Sequence, residues 1–464
     1  MVFPSLEFAF FFPVVLVLSW VLMPWPRVWK PFFLVASYVF YGAASAGWAV
    51  LLAAVTLANQ LGAVLIARAR TPRAQTWVMT GIVAVDLVVL GLFKYYGFFA
   101  EEIGRSLDAV GLGMPLPLLE LALPIGLSFI TFQAISYVVD VRRGHLAPAS
   151  TIDFALYLSF FPHVVAGPIV RAREFIPQLA VPRDPRRVAV GAGVVLIALG
   201  LVKKVAIADF LARNVVDDVF AVPQAYSAPD VALAAYAYAA QIYCDFSGYT
   251  DIAIGLALLL GFVFPQNFNS PYRALSFSDF WRRWHMTLSR FLRDFLYIPL
   301  GGNRGGKLQT ARNLMITMVL GGLWHGAAWG FVLWGALHGT CLVIEHQLRG
   351  RDLHAPAWLR WLVVFNVVTF GWILFRAGTL ELAGQYIGQL AEPGPVTVAT
   401  PAVLAAVIGV IGFQLLPPAP LERVRLWFAQ LPAPALGAGL AAVIAVVGAT
   451  VPGGAVPPFI YFQF

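Results

Sequence analysis

Long apolar stretches separated by short loops rich in Lys and Arg constrain this chain more than any other feature. About 20 apolar residues cross a bilayer as a helix. Lipid offers no partner to an exposed peptide group, so only helices and closed barrels can span it. Of the 464 residues, 60% are hydrophobic and 12% charged, whereas a soluble domain carries about 25% charge. Mean hydropathy is +0.79. The chain therefore reads as an all-α polytopic membrane protein, with residues 1–464 forming a single integral-membrane domain. Apolar spans run from Phe8 to Met23, Pro31 to Ala44, Ala49 to Ala67, Trp77 to Phe99 and Leu121 to Val139. Asp86 and Lys94 lie in the fourth, where a charged group is expected to face other helices rather than lipid.

The net charge of +8 follows from topology before any acidic partner is invoked, because Lys and Arg in short loops stay in the cytoplasm. Arg27 and Lys30, then Arg68, Arg70 and Arg73, then Arg142 and Arg143 mark inside loops, which places the N-terminus outside. Arg171, Arg173, Arg183, Arg186 and Arg187 mark another inside segment, yet a single apolar stretch, Phe154 to Val170, precedes it. That stretch holds Pro162, His163 and Gly167-Pro168, and a re-entrant or broken helix accounts for it. The span Val188 to Ile207 leads to an outside loop with Asp209, Asp217, Asp218 and Asp230. Lys203 and Lys204 sit near its outer end, where the charge rule does not explain them. Val231 to Phe264 returns inside, interrupted by Cys244-Asp245-Phe246-Ser247-Gly248-Tyr249-Thr250-Asp251. Cys244 and Cys341 are the only cysteines, which supports neither a disulfide framework nor a cysteine metal site. Met1 to Phe12 has no basic residue before the first apolar run, so the first helix is expected to be retained.

His325 is the leading candidate for chemistry. It lies in Leu323-Trp324-His325-Gly326, inside a run from Leu314 to Ile344 whose only other ionisable group of this kind is His338. An intramembrane ionisable residue is a functional candidate by default, and imidazole suits acid–base work near neutral pH. Gly322, Gly326 and Gly330 are spaced by four, and Gly335 and Gly339 repeat the spacing. Such residues let helices approach closely and permit a kink or an unwound turn. His338 is expected to be structural. His346 is expected at the helix end near Arg349 and Arg351, in a solvated loop, and His145 and His354 also read as loop residues.

A second candidate lies in the basic segment Gln266 to Arg312. Ser276 with Asp279 resembles a capping box. Phe277, Trp281, Trp284, Leu288, Leu292 and Phe295 recur at helical spacing and form one face, so an interfacial amphipathic helix is expected from Ser276 to Phe295. His285 falls at the edge of its apolar arc. Arg282, Arg283, Arg290, Arg293 and Arg304 are suited to phosphate, because a guanidinium makes bidentate contacts to it.

Several motifs resemble the membrane-bound O-acyltransferase superfamily, and in particular its bacterial branch typified by the membrane subunit of alginate O-acetyltransferase. They are Tyr157-Leu158-Ser159-Phe160-Phe161-Pro162-His163 with Ala166-Gly167-Pro168-Ile169, and Asp245-Phe246-Ser247-Gly248-Tyr249-Thr250-Asp251-Ile252-Ala253-Ile254-Gly255. Asn267-Phe268-Asn269-Ser270-Pro271-Tyr272-Arg273, Phe280-Trp281-Arg282-Arg283-Trp284-His285, Tyr297-Ile298-Pro299-Leu300-Gly301-Gly302-Asn303-Arg304 and Leu323-Trp324-His325-Gly326 continue the series, and the ending Pro457 to Phe464 fits it. The resemblance implies a ring of transmembrane helices around a thin centre, where a cytoplasmic and an opposite funnel meet at a tunnel. It implies that His325 is the catalytic histidine and His285 the second family histidine, and that an acyl group, usually acetyl, moves towards an extracytoplasmic polysaccharide. A partner acetyltransferase outside would finish the transfer, working with the polysaccharide synthesis machinery at the bacterial inner membrane.

The residues suit that chemistry. Acyl transfer from a thioester to a hydroxyl needs a base near the nucleophile and donors for the developing oxyanion. No Gly-x-Ser-x-Gly elbow precedes His325, so no serine acyl-enzyme is expected. No bound cofactor and no metal are expected; acetyl-CoA or another acyl thioester would be the donor substrate. Its phosphates would meet Arg282, Arg283, Arg293 and Arg304, with Trp324 in the substrate-binding set. The alternatives are a D-alanyl transferase of teichoic acid modification and, from another class, a transporter or channel. A transporter favours inverted repeats in matching halves, and no internal duplication is visible.

Overall fold

The protein is described from a computed structural model, which covers all residues except 2, 4, 112–121, 166, 182, 350–354, 450–458 and 461–464. His354 and most of the C-terminal motif therefore lie outside the described residues. Every regular element among those described is helical. The helices fall into two compact units, Met1–Ala189 with Leu256–Phe264, and Val190–Gly255 with Pro265–Phe464. Five helices are long and apolar enough to cross a membrane: Ala46–Arg68, Pro72–Lys94, Val190–Ala221, Ala228–Leu259 and Ala357–Arg376. The pair Pro401–Leu415 and Ala419–Ala429, bent by 103°, passes the same test as one broken span.

In the first unit, Thr71 caps the helix Pro72–Lys94 by accepting the Ala74 amide at 3.2 Å, and proline occupies the first turn, where its missing amide costs nothing. This helix turns its valines outward and its carboxylate inward. Val85 and Val88 are exposed while Asp86 is buried and accepts a 2.8 Å hydrogen bond from Asn59 of the helix Ala46–Arg68. Lys94 likewise reaches Ser128 Oγ at 3.4 Å. Both charges face protein, as the cost of lipid exposure requires. The stretch expected to be broken is so. The helix Thr151–Ser159 stops, Phe160 takes a non-helical conformation, and a turn at Phe161–Val164 follows. His163 is buried there, its Nε2 2.9 Å from the Tyr157 carbonyl.

The second unit explains Lys203 and Lys204. The helix from Val190 continues to Ala221, so Asp209, Asp217 and Asp218 are helical rather than part of an outside loop. Two π-helical stretches interrupt it, Val202–Ala208 and Ala212–Val216. The facing helix Ala228–Leu259 is continuous through Asp245 and the polar residues that interrupt its apolar run. The two run antiparallel and almost touch. A side chain at Gly200 would meet the Gly248 carbonyl at 2.6 Å, and one at Gly255 would meet the Gly193 carbonyl at 2.6 Å. Close approach brings the lysines onto the carboxylates: Lys203 pairs with Asp251 at 2.7 Å, and Lys204 with Asp209 at 2.7 Å and Asp245 at 2.6 Å. The Lys204 ammonium and both its carboxylates are buried.

Removing one member of such a cluster leaves buried charge uncompensated, at a cost of about 3–5 kcal/mol. Lys204→Met is therefore expected to lower the thermal unfolding midpoint of the purified protein much more than Lys203→Met, whose pair is partly exposed. Combining Lys204→Met with Asp245→Asn should recover part of the loss. Equal midpoints for the two single variants would show that the Lys204 cluster does not hold these helices together.

Candidate active site

The site grows from two breaks in helical chain within the second unit. The first is at His285. The sequence predicts one helix from Ser276 to Phe295, but the structure divides it into Phe277–Trp281, Met286–Leu292 and a π turn Arg293–Tyr297. Ser276 does cap the first piece, its Oγ accepting the Asp279 amide at 3.1 Å. The break comes from Asn267, distant in sequence. Its Oδ1 accepts the Thr287 amide at 3.1 Å and the Thr287 hydroxyl at 2.9 Å, and lies 3.2 Å from His285 Nδ1. The Asn267 carbonyl also accepts the Met286 amide at 2.9 Å. These bonds claim amides that a continuous helix would use, and His285 adopts φ +42°, a left-handed conformation costing a non-glycine residue about 1–2 kcal/mol.

Asn267 also sets the state of His285. The Thr287 amide can only donate, so the atom it meets is the amide oxygen of Asn267. That oxygen can only accept, so Nδ1 carries the proton and the lone pair resides on Nε2. His285 is fully buried, lies outside the five candidate spans, and burial pushes its pKa down to about 3. The ring is neutral at physiological pH.

The second break is at His325. The apolar run Leu314 to Ile344 is not one span. The helix Gly306–His325 ends at the histidine, Gly326 is extended, and Trp329–Leu348 returns. The pair forms an antiparallel hairpin. A side chain at Gly322 would meet the Phe331 carbonyl at 2.2 Å, and one at Gly335 the Met318 carbonyl at 2.4 Å; at Gly326 it would enter the Phe331 ring at 2.1 Å. Here the glycines serve both expected roles, close packing and an unwound turn. His325 is thereby fixed as the last residue of a helix, only 3% exposed. Edge-on rings surround it, with centroids of Trp324 at 5.0 Å, Trp334 at 5.2 Å and Phe375 at 5.2 Å.

Trp324 joins the two breaks. Its ring centroid is 6.0 Å from that of His285 and 5.0 Å from that of His325. Phe246, from the Asp245–Gly255 motif, closes the other side of His285 edge-on at 4.7 Å. His338 is buried against Phe280, Trp281 and Trp334 and supports the shell. His346 lies at the helix end as expected, though in the last helical turn rather than in a loop.

The predicted arginines differ in their partners and exposure. Arg283 is engaged, donating to Asp279 Oδ1 at 2.9 Å and to the Asn269 carbonyl at 3.3 Å. Arg293 is exposed and paired with Asp294 at 2.7 Å. Arg282 is exposed, its Nε donating to the Ser278 carbonyl at 3.1 Å. Arg304 is exposed after the Gly301-Gly302 turn, which Asn313 holds by donating to the Gly302 carbonyl at 2.9 Å. Sequence reasoning missed Asn267, Phe246, Trp334 and Phe375. Asn267 and Phe246 stand within quoted motifs, but nothing local assigns them a partner, and Phe375 lies 50 positions from His325.

Two histidines that share one indole inside a helical membrane protein, set among these motifs, define a class, and comparison with known proteins agrees. The model of the membrane-bound O-acyltransferase family matches residues 37–376, and the chain belongs to that family. It is an acyltransferase embedded in a membrane by several helices. Among its relatives is the probable alginate O-acetylase AlgI of Azotobacter vinelandii, 45% identical over 389 residues, 82% of this chain and 76% of that protein. The protein of the same name from Pseudomonas aeruginosa is 45% identical over 391 residues, 82% of this chain and 73% of its own length. A peptidoglycan O-acetyltransferase of Helicobacter pylori is 36% identical over 393 residues, covering 77% and 72%.

The assigned state of His285 is directly observable. Nitrogen-15 NMR of histidine-labelled protein, with His285→Asn to identify the signal, should show a neutral ring protonated on Nδ1 from pH 8 down to pH 5. The folded value lies below the ordinary ~6.5, so acidification through that range leaves the ring uncharged. A titration midpoint between pH 5 and pH 7 would contradict this environment.

Proposed function

We propose that this protein transfers an acetyl group from a cytoplasmic thioester, acetyl-CoA being the simplest donor, across the inner membrane of a bacterium to an exported polysaccharide. Its N-terminus lies outside, and an extracytoplasmic acetyltransferase and the polysaccharide synthesis machinery act with it. The names of the relatives support acetyl over D-alanyl transfer and a surface glycan as acceptor. The observation that carries the reading is the convergence of His285 and His325 on the single indole of Trp324.

In this reading His325 is the general base. The acceptor hydroxyl attacks the thioester carbonyl, its proton passes to the imidazole, the carbon–sulfur bond breaks, and the proton leaves with the thiolate. Edge-on rings exclude water and hold the imidazole in place, which general-base work at fixed geometry requires. His285, with its lone pair on Nε2, lies on the donor side of Trp324. Arg282 and Arg304 are the arginines suited to donor phosphates, because Arg283 and Arg293 already serve Asp279 and Asp294.

His325→Ala is expected to leave the protein folded and to reduce acetylation about 10²–10⁴-fold, the usual effect of removing a general base. The acetyl content of the exported glycan, measured in a deletion strain expressing the variant, provides the readout. Near-normal acetylation at normal protein level would remove His325 from the chemistry. Alanyl instead of acetyl esters would replace the acetyl reading by the D-alanyl one.

A further inference from the structure

A cleft in the first unit has no part in the chemistry above. It holds about 90 Å³ of free space, lined by Met23, Pro26, Trp29, Lys30, Leu179 and Arg183 among others. One water needs about 10–15 Å³ of such space, so the cleft has room for a tetrahedral oxyanion. Arg183 is built into it. Its Cζ lies 4.3 Å from the Trp29 ring centroid and 4.0 Å from that of Phe262, and its Nη2 donates to the Met23 sulfur at 3.0 Å. Gly261, at φ +81°, leaves space for the stem; a side chain there would sit 2.8 Å from Arg183 Cδ.

The guanidinium has donors to spare. Nε and Nη1 are buried and make no hydrogen bond among the described residues, and aromatic faces offset only part of the cost of a desolvated cation. Burial lowers the Arg183 pKa, as expected of a cation without a counter-charge. Neighbouring carboxylates are committed elsewhere, Asp153 to Lys30 and Asp184 to Arg187. With Lys30 balanced by Asp153, the cleft carries a single uncompensated positive charge, which matches one phosphodiester better than a doubly charged phosphate monoester. Its surroundings are apolar: Trp25, Val28 and Val181 beside it are exposed, and an exposed indole is typical of the membrane interface.

We propose that this cleft seats the phosphodiester headgroup of an anionic phospholipid, with Arg183 as its principal ligand. Basic pockets at the cytoplasmic ends of membrane helices take such headgroups. A charge-assisted contact of this kind is worth about a tenfold change in affinity.

The test uses the full-length protein, purified and delipidated in detergent, followed by thermal unfolding and native mass spectrometry. Phosphatidylglycerol should raise the unfolding midpoint and remain bound, while phosphatidylcholine and inorganic phosphate should do neither. In Arg183→Gln, phosphatidylglycerol should bind about tenfold more weakly. Undiminished binding to that variant would overturn the assignment. Protection by inorganic phosphate alone, lost in Arg183→Gln, would overturn the lipid as source and identify a soluble phosphate ligand. A measurement on the unmodified protein covers a variant that fails to fold. Phosphatidylglycerol, but not phosphatidylcholine, should slow phenylglyoxal modification of Arg183 several-fold, and equal rates with the two lipids would overturn the proposal.

Discussion

Polar groups taken out of water must be matched within the protein, and this requirement organises both the fold and the site. An unpaired buried ion costs several kcal/mol, and an unbonded buried amide or hydroxyl about 1–3 kcal/mol. In a chain with so little charge, each buried ionisable group therefore fixes where a second element must lie. Lys204 draws Asp209 and Asp245 to one point, which the paired glycines Gly200 and Gly248 make reachable. Asp230 gathers the amides of Thr397 and Val398 and the Thr397 hydroxyl, tying the start of one long helix to a distant loop.

The same requirement shapes the site. Asn267 satisfies Thr287 and His285 at the expense of helix continuity, so the histidine occupies a strained, left-handed position that the surrounding bonds impose. His325 reaches its place by a different route: helix packing through Gly322 and Gly335 ends one helix and starts its antiparallel partner, leaving the imidazole at the turn. Strain and chain breaks of this kind concentrate at functional sites. Trp324 lies between the two histidines because it precedes His325 in the last helical turn.

Much of the architecture was legible from apolar periodicity. The read span Ala49 to Ala67 lies within the helix Ala46–Arg68, and the inward orientation of Asp86 followed from its cost in lipid. The break before Val170 was signalled by Pro162 and Gly167-Pro168. The break at His285 was not legible, and that at His325 only in part, for a physical reason. Between Leu314 and Ile344 there is no proline and no acidic or basic residue other than histidine, so the glycines allowed an unwound turn without marking Gly326 as the end of one helix and the start of a returning one. At His285 the acceptor that ends the helix is a side chain 18 positions away. Lys203 and Lys204 looked anomalous because Asp245 and Asp251 are on another helix and Asp209 read as a loop residue, and the charge rule concerns loops alone. Both histidines stood out by their apolar settings and took their roles from the motifs; their common neighbour came from the structure.

The central claim is that acyl transfer takes place beside His325 and Trp324. Cryo-electron microscopy of the protein with a non-hydrolysable thioether analogue of the acetyl donor tests it most directly. The acetyl carbonyl is expected next to Trp324, close enough that an acceptor hydroxyl, alone or through one water, would bridge it to the His325 imidazole. An analogue bound with its acetyl end away from both histidines would contradict the account.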